Sequence, residues 1–205
     1  GYFNSVSIEM VMMTFMLISS IPFVLYIQVL RGHSLAIWKD AQVRWFFVIV
    51  LFSVAATTTW LTTDGQLDFG TALRKASFNM VSVLTTSGFS SENYGLWGSF
   101  EVIFIFLFSV VGGCTGSTTG GIKIFRYQVL YETAKTQINR LIQPHGIFMP
   151  IFNRKPISEQ VSNSVLSFFI LFAFCFTVLA ILLSLTGLDF ITSMSASAVS
   201  YTHLR

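Results

Sequence analysis

The sequence predicts an all-α, polytopic membrane protein, and three observations carry that expectation. Of the 205 residues, 53% are hydrophobic and only 10% are charged, whereas soluble domains carry about 25% charged residues. The apolar residues, 22 phenylalanines and 7 methionines among them, gather in several uncharged runs rather than one. Lys and Arg concentrate in alternate connections between those runs, as the cytoplasmic loops of a multi-pass protein do. The net charge of +3 needs no nucleic-acid partner to explain it.

In chain order, the uncharged runs are Met10 to Leu30, Trp45 to Thr63, Val102 to Ile122 and Gln160 to Leu188. Each is long enough for the hydrocarbon core, which takes about 20 helical residues. Pro22 predicts a kink in the first, tolerated where neighbouring helices satisfy the freed carbonyl. The loop after it holds Arg31, Lys39 and Arg44 against Asp40, and the segment from Lys123 to Lys155 holds six basic residues against Glu132. Both belong in the cytoplasm by charge. The connection between the second and third runs has Asp64, Asp68, Arg74, Lys75 and Glu92, no basic excess, and fits the outside.

That outer connection contains a further uncharged stretch, "FNMVSVLTTSGFSS" from Phe78 to Ser91. It is too short to span, and a short apolar segment between two spans on one side of the membrane reads as a re-entrant element. Its opening, Leu67-Asp68-Phe69, returns at Leu188-Asp189-Phe190, a weak internal repeat at a period of 121 residues. Asp68 and Asp189 fit as N-caps of short pore helices, and equally as solvated loop carboxylates.

Two stretches carry chemistry. "TTSGF" places Thr85, Thr86, Ser87, Gly88 and Phe89 at the end of the re-entrant segment. Small hydroxylated residues and a conformationally free glycine suit a strand whose carbonyl oxygens turn inward and replace an ion's hydration shell. "GGCTGSTTGG" places Gly112, Gly113, Cys114, Thr115, Gly116, Ser117, Thr118, Thr119, Gly120 and Gly121 at the end of the third run. Each glycine weakens a helix by about 1 kcal/mol relative to alanine, so the chain is expected to leave helical geometry inside the membrane.

The pair "NMVSVLTTSGFSSENYGLW" and "GGCTGSTTGGIKIFR" closely resembles the Trk-type potassium uptake proteins, the membrane subunit of bacterial Trk and Ktr systems. That family belongs to a potassium-channel-like superfamily of helix, pore-loop, helix repeats, four around one pore. The resemblance implies that residues 1–31 are the second helix of repeat two with its link, 32–44 a cytoplasmic loop, and 45–130 a complete repeat three. Within that repeat it implies a pore helix at about 70–84, filter residues 85–89 holding potassium on the carbonyls of Thr85, Thr86, Ser87 and Gly88, and a second helix broken by a gating loop at 112–121. Residues 131–157 become the cytoplasmic connection, and 158–200 the first helix and pore helix of repeat four. At the end the family's fourth filter glycine has no counterpart in Tyr201, Thr202, His203, Leu204 and Arg205, so 201–205 is expected to be a non-native tail. Beginning without Met, the chain is expected to be an interior piece.

The function so implied is potassium uptake across the bacterial inner membrane, channel-like or coupled as symport, by a protein that is not an enzyme and binds no cofactor, potassium being its cargo. Implied partners are membrane lipid, a second copy in a homodimer of the full-length form, and a cytosolic nucleotide-binding regulatory subunit of the TrkA kind. Two other readings stand beside it: a secondary transporter whose broken helices bind a small solute, and a non-transporting membrane scaffold. Lys123 and Arg126 fit either as anchors of the loop's cytoplasmic end or as snorkelling residues. His33, His145 and His203 share no helical spacing that would hold a metal. Cys114 and Cys175 are expected to pack between helices, Trp38, Trp45, Trp60 and Trp97 to mark interfaces, and the spans to carry no acid or base.

Overall fold

The structure, a computed structural model, describes residues 5–64, 67–92, 94–143, 146, 148–153, 155–188 and 190–203. It forms two compact units, Gly1–Lys123 and Ile124–Arg205. The first contains helices α1 (Val6–Ser19), α2 (Phe23–Leu30), α3 (Ala36–Lys39), α4 (Ala41–Thr63), α5 (Phe69–Leu84) and α6 (Ser99–Ser109), with a single 3-10 turn at Tyr94–Leu96. The second contains α7 (Ile124–Ile142), a minimal antiparallel ladder of β1 (Ile151–Phe152) and β2 (Lys155–Pro156), α8 (Glu159–Ser184) and α9 (Phe190–His203).

Among the described residues α4 and α8 are long and apolar enough to cross a membrane, and α1 with α2 passes the same test as one bent span. The expectation of a single kinked helix from Met10 to Leu30 is corrected here: the two helices meet at 88° across a break. The physical cause lies at the break itself. Pro22 has no N–H to continue the ladder, and the hydroxyls of Ser19 and Ser20 both donate back to the Met16 carbonyl, at 2.9 and 2.8 Å. Side chains that bond the preceding turn bend a helix, and here they leave the Ser19 and Ser20 carbonyls for other donors.

The second span begins before Trp45 because Asp40 caps it, accepting from the backbone N–H groups of Gln42 at 2.8 Å and Val43 at 3.4 Å. Asp68 does the same for α5, accepting from Gly70 and Thr71 at 3.1 and 3.3 Å; of the two readings left open for this carboxylate, the N-cap holds. Asp189 lies outside the described residues. Helix α7 continues to Ile142, past residue 130, so much of the expected cytoplasmic connection is helical. Helix α9 runs through residues 201–203.

The core of the first unit is built by α4, α5 and α6. Leu61, Ala72, Ala76, Met80, Trp97 and Ile105 are buried together, with Val54, Leu67, Val83, Phe104 and Phe108 around them. Small residues on one helix let the other backbone approach, the usual basis of packing where lipid removes the hydrophobic drive between helices. Ala72 and Ala76 play that part, and α4 and α5 pack most extensively of all element pairs. Trp60 adds a hydrogen bond to the Trp97 carbonyl at 3.2 Å and stacks at 4.7 Å on Phe100.

In the second unit the Arg126 guanidinium lies 3.9 Å over the Phe168 ring, Tyr127 meets Phe169 edge-on at 5.5 Å, and Phe168, Phe172 and Phe176 stack along α8. Arg126 is thus held by a cation–π contact. Cys175 is exposed on α8 rather than packed between helices, while Cys114 is buried in a loop. Large apolar side chains such as Phe174 and Ile170 stand exposed on α8, a surface suited to hydrocarbon rather than water.

Candidate functional site

The site is built on α5. From Phe78 to Ser82, and again at Leu84, its C-terminal half is buried, Asn79 and Ser82 included. A helix whose end is buried together with its polar residues sits inside a protein rather than on its surface, and at 16 residues this one is too short to span. Its last turn closes on Thr85, whose N–H donates to Val81 at 2.9 Å; Thr86 and Ser87 then donate to Val83 at 3.0 Å and Ser82 at 2.9 Å. Beyond them the chain leaves the helix, running outward from buried Thr85 to exposed Phe89.

Backbone geometry singles out this strand. Thr85 has φ −83°, Thr86 +54° and Gly88 +76°, whereas Ser87 keeps a negative φ. An ordinary β-strand keeps φ negative throughout and points successive carbonyls to opposite sides; alternating signs of φ abandon that pattern. Positive φ is open to Gly88 but is a true outlier for a β-branched residue, costing about 1–3 kcal/mol unless the surroundings impose it. Thr86 is held there by the helix ending, its own N–H on Val83 O and that of Ser87 on Ser82 O forming a Schellman cap, and its hydroxyl also accepts the Gly120 N–H at 2.7 Å. Asn79 fixes the returning chain, its amide donating to Lys75 O and Ser91 Oγ, each at 2.8 Å, and accepting from Ser91 N–H at 3.2 Å. Lys75 pairs with Glu92 on the same return.

Residues 110–123 separate α6 from α7 and are not α-helical. Gly112, Gly116 and Gly121 have positive φ. At Gly112 the reason is space as well: an added Cβ would overlap the Gly120 carbonyl, since the two ends of the loop lie against each other. Ile122 and Lys123 donate back to Val110 and Val111 at 3.0 and 2.9 Å, closing it. Inside, Thr119 Oγ1 accepts from Gly113 N–H at 3.1 Å and shares a 2.8 Å hydrogen bond with Ser117 Oγ. Lys123 Nζ reaches the Ser117 carbonyl at 3.4 Å, so this lysine does anchor the loop's end.

Further bonds of the loop run to distant helices. Cys114 N–H donates to the Ser20 carbonyl at 3.2 Å, Thr118 donates to the Ser19 carbonyl through N–H at 3.3 Å and through Oγ1 at 3.2 Å, and the Phe23 N–H donates to Gly116 O at 3.1 Å. Thr115 N–H donates to Gln42 Oε1 at 2.9 Å. Helix ends leave carbonyls and N–H groups without intrahelical partners; here the α1–α2 break and the loop supply each other's. The structure therefore joins Thr86 to Gly120 directly, sets Cys114, Gly116 and Thr118 against the α1–α2 break, and ties Thr115 to α4. Sequence reasoning did not single out Gln42, Ser19 or Ser20, and a polar side chain in the first turn of a span was the available signal.

Two acids contradict the expectation of acid-free spans. Helix α6 begins at Ser99, so Glu101 lies within it, fully buried and accepting from Thr57 Oγ1 at 3.3 Å. Glu9 on α1 pairs with Arg74 on α5 at 3.3 Å. The described residues hold no cluster that would bind a metal through His, Cys, Asp or Glu. A cavity of about 430 Å³ lies in the second unit, lined by residues such as Thr136, Arg140, Ser158 and Ser162, none of which belongs to the filter or the loop.

Comparison with known proteins follows this geometry. A family model described as "TrkH: Cation transport protein" matches residues 1–203. The Trk system potassium uptake protein TrkI of Halomonas elongata is 39% identical over 190 residues, covering 93% of this chain and 38% of that protein. TrkG of Escherichia coli K12, a Trk system potassium uptake protein, is 34% identical over 206 residues, 100% of this chain and 42% of its own length. The crystal structure of the potassium transporter TrkH from Vibrio parahaemolyticus superposes with a TM-score of 0.90 at 29% identity, over 98% of this chain and 44% of that one. The chain thus spans less than half the length of these relatives.

Proposed function

The chain belongs to the TrkH family of cation transport proteins, and from that premise we propose that it supplies one filter-bearing repeat of a potassium uptake pore, in which residues 85–89 select the ion and residues 112–121 close its path. Potassium is the cargo, held by the carbonyls of Thr85, Thr86, Ser87 and Gly88. The observation that carries this reading is the hydroxyl-rich segment at the end of a buried, non-spanning helix, where Thr86 and Gly88 both take positive φ and the Thr86 hydroxyl accepts the Gly120 N–H of the loop at 2.7 Å. A cation stripped of water at bilayer depth needs fixed dipoles around it, and carbonyls with the negative C-terminal end of α5 are such dipoles. The loop suits a gate because it is non-helical, directly bonded to the filter through Thr86, and closed on itself at Gly112. In the full-length protein this repeat works with the others in the bacterial inner membrane, as a homodimer whose basic connection at 131–157 meets a nucleotide-binding regulatory subunit.

The paired breaks in α1–α2 and after α6 also favour a second reading, a secondary transporter that binds a small solute between discontinuous helices. Cysteine accessibility separates the two. With Thr86→Cys and Thr118→Cys introduced singly into the full-length protein, potassium or rubidium is expected to slow thiol labelling at both positions. Protection by an organic solute, with none by rubidium, would reject the filter.

A further inference from the structure

We infer that Gln42 is the positioning residue that holds the gating loop closed, with the α1–α2 break as the cradle it closes against. The inference rests on the gate reading above and adds the groups that set the gate's position. Of the loop's bonds to distant helices, those to Ser19, Ser20 and Phe23 are backbone groups of one break, and the filter contact runs from Gly120 to Thr86. Gln42 is the side chain that reaches the loop from α4, and only its carbonyl end can serve, because Thr115 N–H is a donor. Gln42 is itself fixed: it is buried in the first turn of α4, where its backbone N–H is held by Asp40. Asp40 thus sets the turn, the turn aims the amide, and the amide takes a loop N–H. The same first turn directly follows α3 and the basic residues Arg31 and Lys39, so a displacement of this cytoplasmic link moves Gln42 and with it Thr115.

Cys114, next to Thr115 and buried, is a native reporter of loop position once the exposed Cys175 is replaced by Ser. The experiment compares Gln42→Met, which keeps length without an acceptor, with Gln42→Glu, which keeps an acceptor oxygen. Both are made in the full-length protein, reconstituted without a regulatory partner. N-ethylmaleimide is expected to label Cys114 about tenfold faster in Gln42→Met, the change that the loss of one part-buried hydrogen bond of about 1.4 kcal/mol produces. Rubidium efflux is expected to rise with it, and Gln42→Glu to match the parent in both. Unchanged labelling in a Gln42→Met protein that melts with the parent overturns the inference. Should Gln42→Met melt early, Gln42→Asn, too short to reach Thr115, decides in the same way. Faster labelling without faster efflux supports Gln42 as the clamp and rejects the gate.

Discussion

Residues 85–89, proposed as the filter, and residues 112–121, proposed as the gate, are both short non-helical segments, yet they are held by different means. The filter is stitched to its own surroundings: Thr85, Thr86 and Ser87 bond to the last turn of α5, and Asn79 bonds to Ser91. The loop is closed on itself at one end and otherwise bonded to residues far away in the chain, Ser19, Ser20, Phe23 and Gln42. The glycines differ in the same way. Gly112 is needed because another backbone lies against it, whereas Gly88 has nothing within 4 Å and is needed for its φ of +76°. A fixed, locally braced element suits selection, and an element whose braces belong to other helices suits movement.

The largest effect is expected where backbone meets backbone. Gly112→Ala, and likewise Gly121→Ala with its Cβ 2.8 Å from Gly112 Cα, cannot be accommodated without opening the loop. They should cost more than about 3 kcal/mol, in the range of severe overpacking and strain, seen as lost membrane expression or a collapsed melting transition. Next comes the one bond that joins the two regions. Thr86→Val removes the acceptor of the part-buried Gly120 N–H while keeping shape, a loss of about 1 kcal/mol. A lower melting temperature together with faster thiol labelling of Cys114 is expected; if only the filter responds, the two regions are independent and the comparison breaks.

A comparable but more local effect is expected within the filter's brace. Asn79→Leu should release the return at Ser91 and destabilise by about 1–2 kcal/mol, altering rubidium-over-sodium preference while leaving Cys114 labelling unchanged. The smallest concerns Asp68. The Thr71 side chain first, then the Thr71 and Gly70 backbone N–H groups, hold this exposed carboxyl below the usual aspartate range. A depressed folded value means that its contribution is complete above the ordinary aspartate value and is lost as pH falls through the lowered one. Asp68→Asn should therefore remove a slight acid-dependent loss of stability, measured as melting temperature against pH, without changing uptake at neutral pH.

These contrasts also explain what could be read from residues alone. The spans at α4 and α8 announce themselves by hydropathy, whereas Asp68 reads equally as an N-cap and as a solvated carboxylate until Gly70 and Thr71 N–H are seen to donate to it. The strand "TTSGF" is legible because its support is local: a short apolar helix, a hydroxyl-rich end and a glycine follow one another in the chain. The loop's composition marks it as non-helical, but its cradle is invisible, because Gln42 reads as one more polar residue at a cytoplasmic boundary and Ser19 and Ser20 as ordinary helix serines. Pro22 announces a kink and not an 88° break, since neither the Ser19 and Ser20 hydroxyls that bond back to Met16 nor the loop donors on their carbonyls can be read from the residues. Glu101 was missed because a run of uncharged residues necessarily starts after the charge, while the helix starts before it. Helix α7 outruns its expected end because its polar continuation carries no hydropathy signal.

Rubidium uptake by Gly88→Ala in the full-length protein, under potassium limitation, tests the account most directly. With no atom within 4 Å of the added methyl, the substitution leaves packing intact and acts on the filter backbone alone. Normal membrane expression and an unchanged Cys114 labelling rate, with uptake reduced at least about tenfold, is the expected result for a strand that depends on positive φ. Unchanged uptake would contradict the filter, and with it the distinction between a segment that selects and a segment that closes.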